Sequence, residues 1–232
     1  MTFRQEYANA SFFFEGLTGS PAHEELIHKV QDFIATENLY LAANREVETK
    51  LQNLNNEFHY TKERNPIHSI HTRIKAPLSI IQKLQKRGLD LSVQSARENL
   101  TDIAGVRVIC SYIEDIYLVA NMLVSQDDVE LVRTSDYIRD PKPNGYRSLH
   151  HIVKIPVFLS NRKEKVNVEI QFRTIAMDYW ASLEHDLNYK LSKEKTVSID
   201  RELKEVAEEM AQIDERMQAL YNVVLKDMDA RK

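Results

Sequence analysis

An α/β fold, a mixed β-sheet flanked by helices, is predicted by three observations on the sequence. Helical periodicity fills both ends of the chain, β-rich segments gather in its middle, and turns bearing proline and glycine separate them. With 232 residues the chain can bury a well-developed core, as one large domain or two small ones. The pattern divides it into an N-terminal helical segment over 1–60, a central domain over 61–195 and a heptad-patterned helix over 196–232.

From Ala22 to Phe58 the period is helical. Leu26, Val30, Phe33 and Ile34 share one face, and Val47, Leu51, Leu54 and Phe58 form a second stripe. Ser20-Pro21 suits a helix entry, because proline is tolerated in the first turn, and Asn65-Pro66 ends the run. A short helix is expected from Pro77 through Ile80, Ile81 and Leu84, closed by Gly88. The period then changes. Ala104–Cys110, Val129–Val132, Ser148–Val157 and Val166–Phe172 read as strands, with a helix over Tyr117–Val124 and another over 174–191. Asp140-Pro-Lys-Pro-Asn-Gly145 is a turn-rich loop. Finally Ile199, Leu203, Val206, Met210, Ile213, Met217, Leu220 and Val224 alternate spacings of four and three, a heptad seam. That seam suits either docking on the N-terminal helix or self-association.

Composition removes several function classes. One cysteine, Cys110, allows no intrachain disulfide and no cysteine-based zinc site, and suits a reducing, cytoplasmic setting. No apolar run approaches the roughly 18 to 20 residues that span a bilayer. Phe12-Phe13-Phe14 is too short, and too closely followed by Glu15, for a signal-peptide core. Only five glycines occur, and neither GxGxxG nor GxxxxGK[ST] can be built from them. A nucleotide-binding protein of this composition must therefore rely on charged side chains. The net charge of −4 argues against a protein that coats nucleic acid. The average hides segregation: residues 61–90 and 133–173 each carry a net +5, and the tail from 194 a net −3. Positive charge in the middle of the chain can meet a polyanion the size of a nucleotide or form solvated helix faces.

Three clusters carry chemistry. Ser79, Lys83 and Arg87 lie at i, i+4 and i+8 on one helical face, with Arg73 and Lys75 leading into it. Such cations can grip a triphosphate through charge-assisted bonds. In Val166–Arg173 the odd positions Asn167, Glu169, Gln171 and Arg173 alternate with Val168, Ile170 and Phe172. Either a solvated sheet face or the wall of a polar cleft gives that alternation. In the second case Glu169 is a metal ligand or base, and Asp102 supplies a second carboxylate for a hard cation such as Mg²⁺. The third cluster, Lys142–His150, presents Asn144, Tyr146 and His150 at the end of a strand, with Tyr146 either a base-stacking ring or a half-buried anchor.

Taken in order, Arg73-x-Lys75-x-x-x-Ser79-Ile-x-x-Lys83, Asp102-Ile-Ala-Gly-Val-Arg107, Pro143-Asn-Gly-Tyr-Arg-Ser-Leu-His150, Glu169-Ile-Gln-Phe-Arg-Thr174 and Trp180-Ala-Ser-Leu-Glu-His185 form a series. It resembles the RelA/SpoT-type synthetase domain, and the short chain is similar to the stand-alone small alarmone synthetases. The resemblance implies a nucleotidyltransferase-like synthetase domain with helical extensions. It also implies a Mg²⁺-dependent pyrophosphokinase that moves the β,γ-pyrophosphate of ATP to the ribose 3′-hydroxyl of GDP or GTP. Carried onto this sequence, Arg73, Lys75, Ser79, Lys83 and Arg87 would bind ATP. Asp102 would hold Mg²⁺, and Glu169 would ligate the metal or activate the hydroxyl. Tyr146 would stack on guanine, with Asn144, Arg147, His150 and Gln171 around the acceptor. A carboxylate near its usual pKa of ~4.3 is a poor base toward a sugar hydroxyl, so metal assistance or a raised pKa is expected. A homotetramer joined by terminal helices is also implied.

Other readings compete. His185-Asp186 is the dipeptide of metal-dependent phosphohydrolases, but the remaining spaced ligands are missing, so synthesis without hydrolysis is expected. His68 and His71 could share a zinc, or lie as loop histidines beside Arg73. A tRNA-pyrophosphorylating relative would need an extra basic surface, whereas this tail is acidic. A catalytically idle scaffold would have no use for Asp102, Glu169 and the basic cluster.

Overall fold

The computed structural model describes residues 21–61, 64–190 and 197–229. Phe12–Phe14, Gly16, Gly19, Ser20, Lys62, Glu63 and the boundary at 195/196 lie outside the described residues. Helix α1 (Pro21–Thr61) runs for 41 residues, about 60 Å at 1.5 Å per residue. From Leu39 onward it buries Tyr40, Ala43, Val47, Leu51 and Phe58 on one face, which lies across the sheet.

Strand β1 (Ile67–Ile74) comes next, followed by α2 (Pro77–Lys86), α3 (Val93–Asn99), β2 (Ala104–Cys110) and α4 (Ile113–Val124). The rest is β3 (Glu130–Asp136), β4 (Leu149–Phe158), β5 (Lys163–Thr174), α5 (Ile175–Lys190) and α6 (Val197–Asp229). Strand β1 and helix α3 are additions to the expected elements. His68 and His71 therefore sit on a strand rather than a loop, and both are exposed. Gly88 closes α2 as expected, with φ +65° in the region that favours glycine. No helix among the described residues is long and apolar enough to cross a membrane.

One mixed sheet is formed, in the order β1-β2-β5-β4-β3. Strands β2 and β5 pair parallel, and the other pairs are antiparallel. Residues paired across strands share a face. On one face Val106, Val108, Val153, Ile155, Val168, Ile170 and Phe172 are buried against α1 and α4, forming the core. His151 belongs to this apolar face, and burial lowers its pKa, favouring the neutral ring. The opposite face carries two polar rows: Arg73–Gly105–Glu169, and His71–Arg107–Gln171–His150.

Helix α6 packs on α5 and α4 rather than along α1. The apolar stripe of α1 is already committed to the sheet, which removes that option. Leu203, Ala207, Met210, Asp214, Gln218 and Tyr221 face the rest of the chain. Most of the expected seam lies one position away and remains exposed: Val206 41%, Ile213 49%, Met217 47%, Leu220 61% and Val224 52%.

Candidate active site

The end of β1 and helix α2 bring cations to the start of β2. The Lys75 backbone N–H donates to the Ile103 carbonyl at 2.8 Å, fastening the two segments together. Lys75 Nζ and Lys83 Nζ both donate to Asp102 Oδ2, at 3.0 and 2.6 Å. Burial alone would raise the Asp102 pKa, but the two ammonium groups outweigh it and hold the carboxyl below its usual range. Asp102 Oδ1 is buried without a hydrogen-bond partner.

Arg73 lies over Gly105. A Cβ on Gly105 would stand 3.4 Å from Arg73 Cγ and 3.5 Å from Nε, so the bare backbone makes room for this side chain on the sheet. Asn44 of α1, itself buried, donates from Nδ2 to the Arg73 carbonyl at 2.9 Å. Ser79 is half-buried one turn before Lys83. Arg87 donates to the Asn99 carbonyl at 2.9 Å, which holds it at the end of α3 rather than on Asp102.

Two strand spacings from Arg73, roughly 10 Å, stands Glu169. Its Oε2 accepts from Gln171 Nε2 at 2.8 Å, and its Oε1 lies 3.6 Å from His150 Nδ1. Burial pushes the Glu169 pKa up, as does the Asp102 charge, yet His150 and Gln171 prevail and the net shift is downward. Of the two alternatives expected, metal assistance or a raised pKa, the second does not hold: the carboxylate is ionised and oriented. Arg173, only 7% exposed, donates from Nη2 to Gln171 Oε1 and to the Tyr146 hydroxyl, both at 2.9 Å. The Tyr146 hydroxyl meets His150 Nε2 at 2.8 Å. Asp178 Oδ1 accepts from Arg173 Nη1 at 2.9 Å and from Arg107 Nη1 at 2.7 Å.

Loop geometry sets the Tyr146 ring. Gly145 has φ +88°, and Asn144 Oδ1 accepts the Tyr146 backbone N–H at 3.2 Å, completing a tight turn. The ring is half-buried beside Trp180, Ala181, Leu203 and Ala207, so it is anchored rather than freely displayed. Lys142 Nζ stands 4.5 Å from its centroid and 4.6 Å from that of Tyr137. Arg147 turns to α6, where Nη1 donates to the Ala207 carbonyl at 3.4 Å.

Residues 72–194, more than half of the chain, match the family model described as the region found in RelA / SpoT proteins. The chain belongs to the RelA/SpoT family. Among its RelA/SpoT relatives is the GTP pyrophosphokinase YwaC of Bacillus subtilis, 47% identical over 171 residues, which cover 74% of this chain and 81% of YwaC. The crystal structure of small alarmone synthetase 2 from Bacillus subtilis is similar at TM-score 0.75 and 43% identity, covering 82% of this chain and 98% of that one. Small alarmone synthetase 1 from the same organism, bound to its product pppGpp, is similar at TM-score 0.75 and 34% identity, covering 80% and 94%. Bound to AMPCPP, the same synthetase gives TM-score 0.69 and 30% identity, covering 80% and 93%.

Asp178, Tyr137 and Asn44 join the site without having been marked by the sequence. Only Asp178 leaves a trace there, one helical turn beyond Thr174, whose Oγ accepts the Met177 backbone N–H at 3.1 Å and caps α5. Among the described residues no group of three His, Cys, Asp or Glu side chains forms a metal cage, and His68, His71 and His185 are exposed.

Proposed function

We propose that this RelA/SpoT-family chain is a GTP pyrophosphokinase that makes ppGpp or pppGpp and AMP from ATP and GDP or GTP. The observation that carries the reading is one polar sheet face. On it a cation cluster and an ionised, oriented carboxylate flank bare Gly105, with a ring-bearing loop beyond. Similarity to a synthetase solved with pppGpp and with AMPCPP supports both nucleotides.

In this reading Arg73, Lys75, Ser79, Lys83 and Arg87 hold ATP. Tyr146 stacks on guanine, and Asn144, Arg147, His150 and Gln171 shape the acceptor pocket. The 3′-oxygen attacks the β-phosphorus as its proton passes to Glu169 or to solvent, the bond from that phosphorus to the α,β-bridging oxygen breaks, and AMP leaves with that oxygen. Such a transfer depends on charge neutralisation and alignment more than on covalent catalysis.

Asp102 and Glu169 fit Mg²⁺: both are ionised oxygen donors, and Asp102 Oδ1 is buried without a partner. Two carboxylates supplemented by substrate phosphates suit this ion, which rarely needs an all-protein cage. Mg²⁺ held there would neutralise charge on the departing α-phosphate and acidify the 3′-hydroxyl. The lowered Glu169 pKa suits a carboxylate that stays ionised as a ligand. Asp102 is at the same time the counter-ion of Lys75 and Lys83.

Self-association through the exposed face of α6 completes the reading, with a homotetramer as the assembly and the cytoplasm as its setting. Purified protein incubated with labelled ATP, Mg²⁺ and GDP, GTP or tRNA tests the activity. Label on the guanine nucleotide is expected. Label on tRNA alone would overturn the reading in favour of an RNA-modifying enzyme, and transfer to none of them would leave only a binding role. In the same assay Glu169→Gln is expected to lower synthesis at least ~10²-fold, with the fold intact and at most a small drop in melting temperature, because the lowered carboxylate pKa makes a stabilising contribution. Wild-type-like turnover would remove Glu169 from the chemistry.

A further inference from the structure

One nitrogen, Arg173 Nη2, stands at the head of two branches that reach the two oxygens of Glu169, one closing with a hydrogen bond on Oε2 and the other with a 3.6 Å ion-pair contact on Oε1. A guanidinium can only donate. Along the first branch the Tyr146 hydroxyl accepts from Arg173, so its own proton is free to go to His150 Nε2, 2.8 Å away. With Nε2 accepting, the ring hydrogen lies on Nδ1, which faces Glu169 Oε1 at 3.6 Å. Along the second branch Gln171 Oε1 accepts from Arg173, which turns the Gln171 amide nitrogen toward Glu169 Oε2 at 2.8 Å.

Arg173 is itself held. Asp178 Oδ1 takes its Nη1, and the same oxygen takes Arg107 Nη1. Arg173 Nε is buried without a partner, so the guanidinium sits there at the cost of an unmet donor. That cost is consistent with a placement set by the polar face rather than by stability alone.

We infer that Arg173, braced by Asp178, is a positioning residue that fixes both oxygens of Glu169 and the Tyr146 ring together. The inference rests on the reading of Glu169 and Tyr146 given under the proposed function. It adds a link between acceptor pocket and reacting centre: the Tyr146 hydroxyl serves alignment of Glu169, while the ring serves binding of the base.

Steady-state kinetics on Tyr146→Phe, Arg173→Lys and Asp178→Asn test it, with GDP affinity measured by calorimetry in the absence of ATP. Tyr146→Phe keeps the ring and removes one branch. It is expected to lower kcat about tenfold, the scale of a modest misalignment, with GDP affinity within about twofold of wild type. Arg173→Lys should lower kcat further, because a single ammonium cannot replace the fork. Adding Tyr146→Phe to Arg173→Lys should change little more, since both cut the same branch. Asp178→Asn should lower kcat in the same direction without touching Glu169, and remains informative where Arg173→Lys disturbs folding.

Multiplicative effects of Tyr146→Phe and Arg173→Lys, or wild-type kcat in Asp178→Asn, would overturn the inference. Tyr146→Ala separates it from the underlying reading. A raised acceptor KM there beside a silent Tyr146→Phe would sink the inference alone. Equal effects of Tyr146→Ala on both nucleotides would sink the reading of the ring itself.

Discussion

Asp102, Glu169 and Asp178 are each held below the ordinary carboxylate range, although burial is the largest single influence on each and pushes upward. Their partners are two lysines for Asp102, a histidine and an amide for Glu169, and two arginines for Asp178. A folded-state pKa below the unfolded one contributes stability that is present above the unfolded value and lost as pH falls through the folded one. Acid should therefore loosen the candidate site. Asp214 on α6 has the opposite sign. It accepts from Thr174 Oγ1 in a buried setting, and burial raises its pKa despite that bond and the nearby Arg147 charge. Such a group binds protons more tightly when folded, so stability falls as pH rises from the ordinary Asp range through the raised value. Asp214→Asn keeps an acceptor for Thr174 and removes the charge. Its melting temperature is expected to exceed wild type by a few degrees at neutral pH, with the difference closing below about pH 4. A thermal denaturation series across pH checks this; a variant less stable at neutral pH would contradict it.

Among the elements, those with a strong period were readable in advance and those made by tertiary contact were not. Strands β2 and β5 show either a β-rich run or a clean alternation, and the odd positions of β5 do form the polar face. Strand β1, Ile-His-Ser-Ile-His-Thr-Arg-Ile, is an edge strand whose apolar residues fall three or four apart, so no period-two signal marks it. The ordered motifs exposed most of the candidate site. Asn44 acts on a backbone carbonyl 29 residues away and leaves no spacing to read, while Asp178, one turn beyond Thr174, owes its role to an arginine 71 residues away as well as to Arg173. For α6 the heptad was visible but the packed stripe was not. That stripe uses a small residue, Ala207, because the turn at Gly145 comes so close that a Cβ there would fall 2.5 Å from the Ala207 Cβ. Gly145→Val should therefore lower the melting temperature by several degrees. Overpacking costs ~1–3 kcal/mol, and the positive φ adds strain. It should also raise the KM for GDP more than that for ATP, since Tyr146 is the next residue. Equal KM changes would mean that the turn does not position the ring.

Over the whole molecule, α1 and α4 close one sheet face while the other stays polar, which segregates stability from chemistry. Helix α6 spans both sides, with one stripe against the loop that carries Tyr146 and an apolar stripe left open. Met210 is half-buried within the chain, so the clean probes of assembly are Met217 and Leu220. Met217→Glu together with Leu220→Glu is expected to reduce the mass measured by light scattering to that of a single chain. An unchanged mass would place the contacts elsewhere.

The Gly145–Ala207 approach also has a meaning for variation. In a library randomised at both positions, the survivors should not be the product of two independent lists. Position 145 is confined by its backbone and position 207 by the space that position 145 leaves, so the pair behaves as one locus written in two distant parts of the chain.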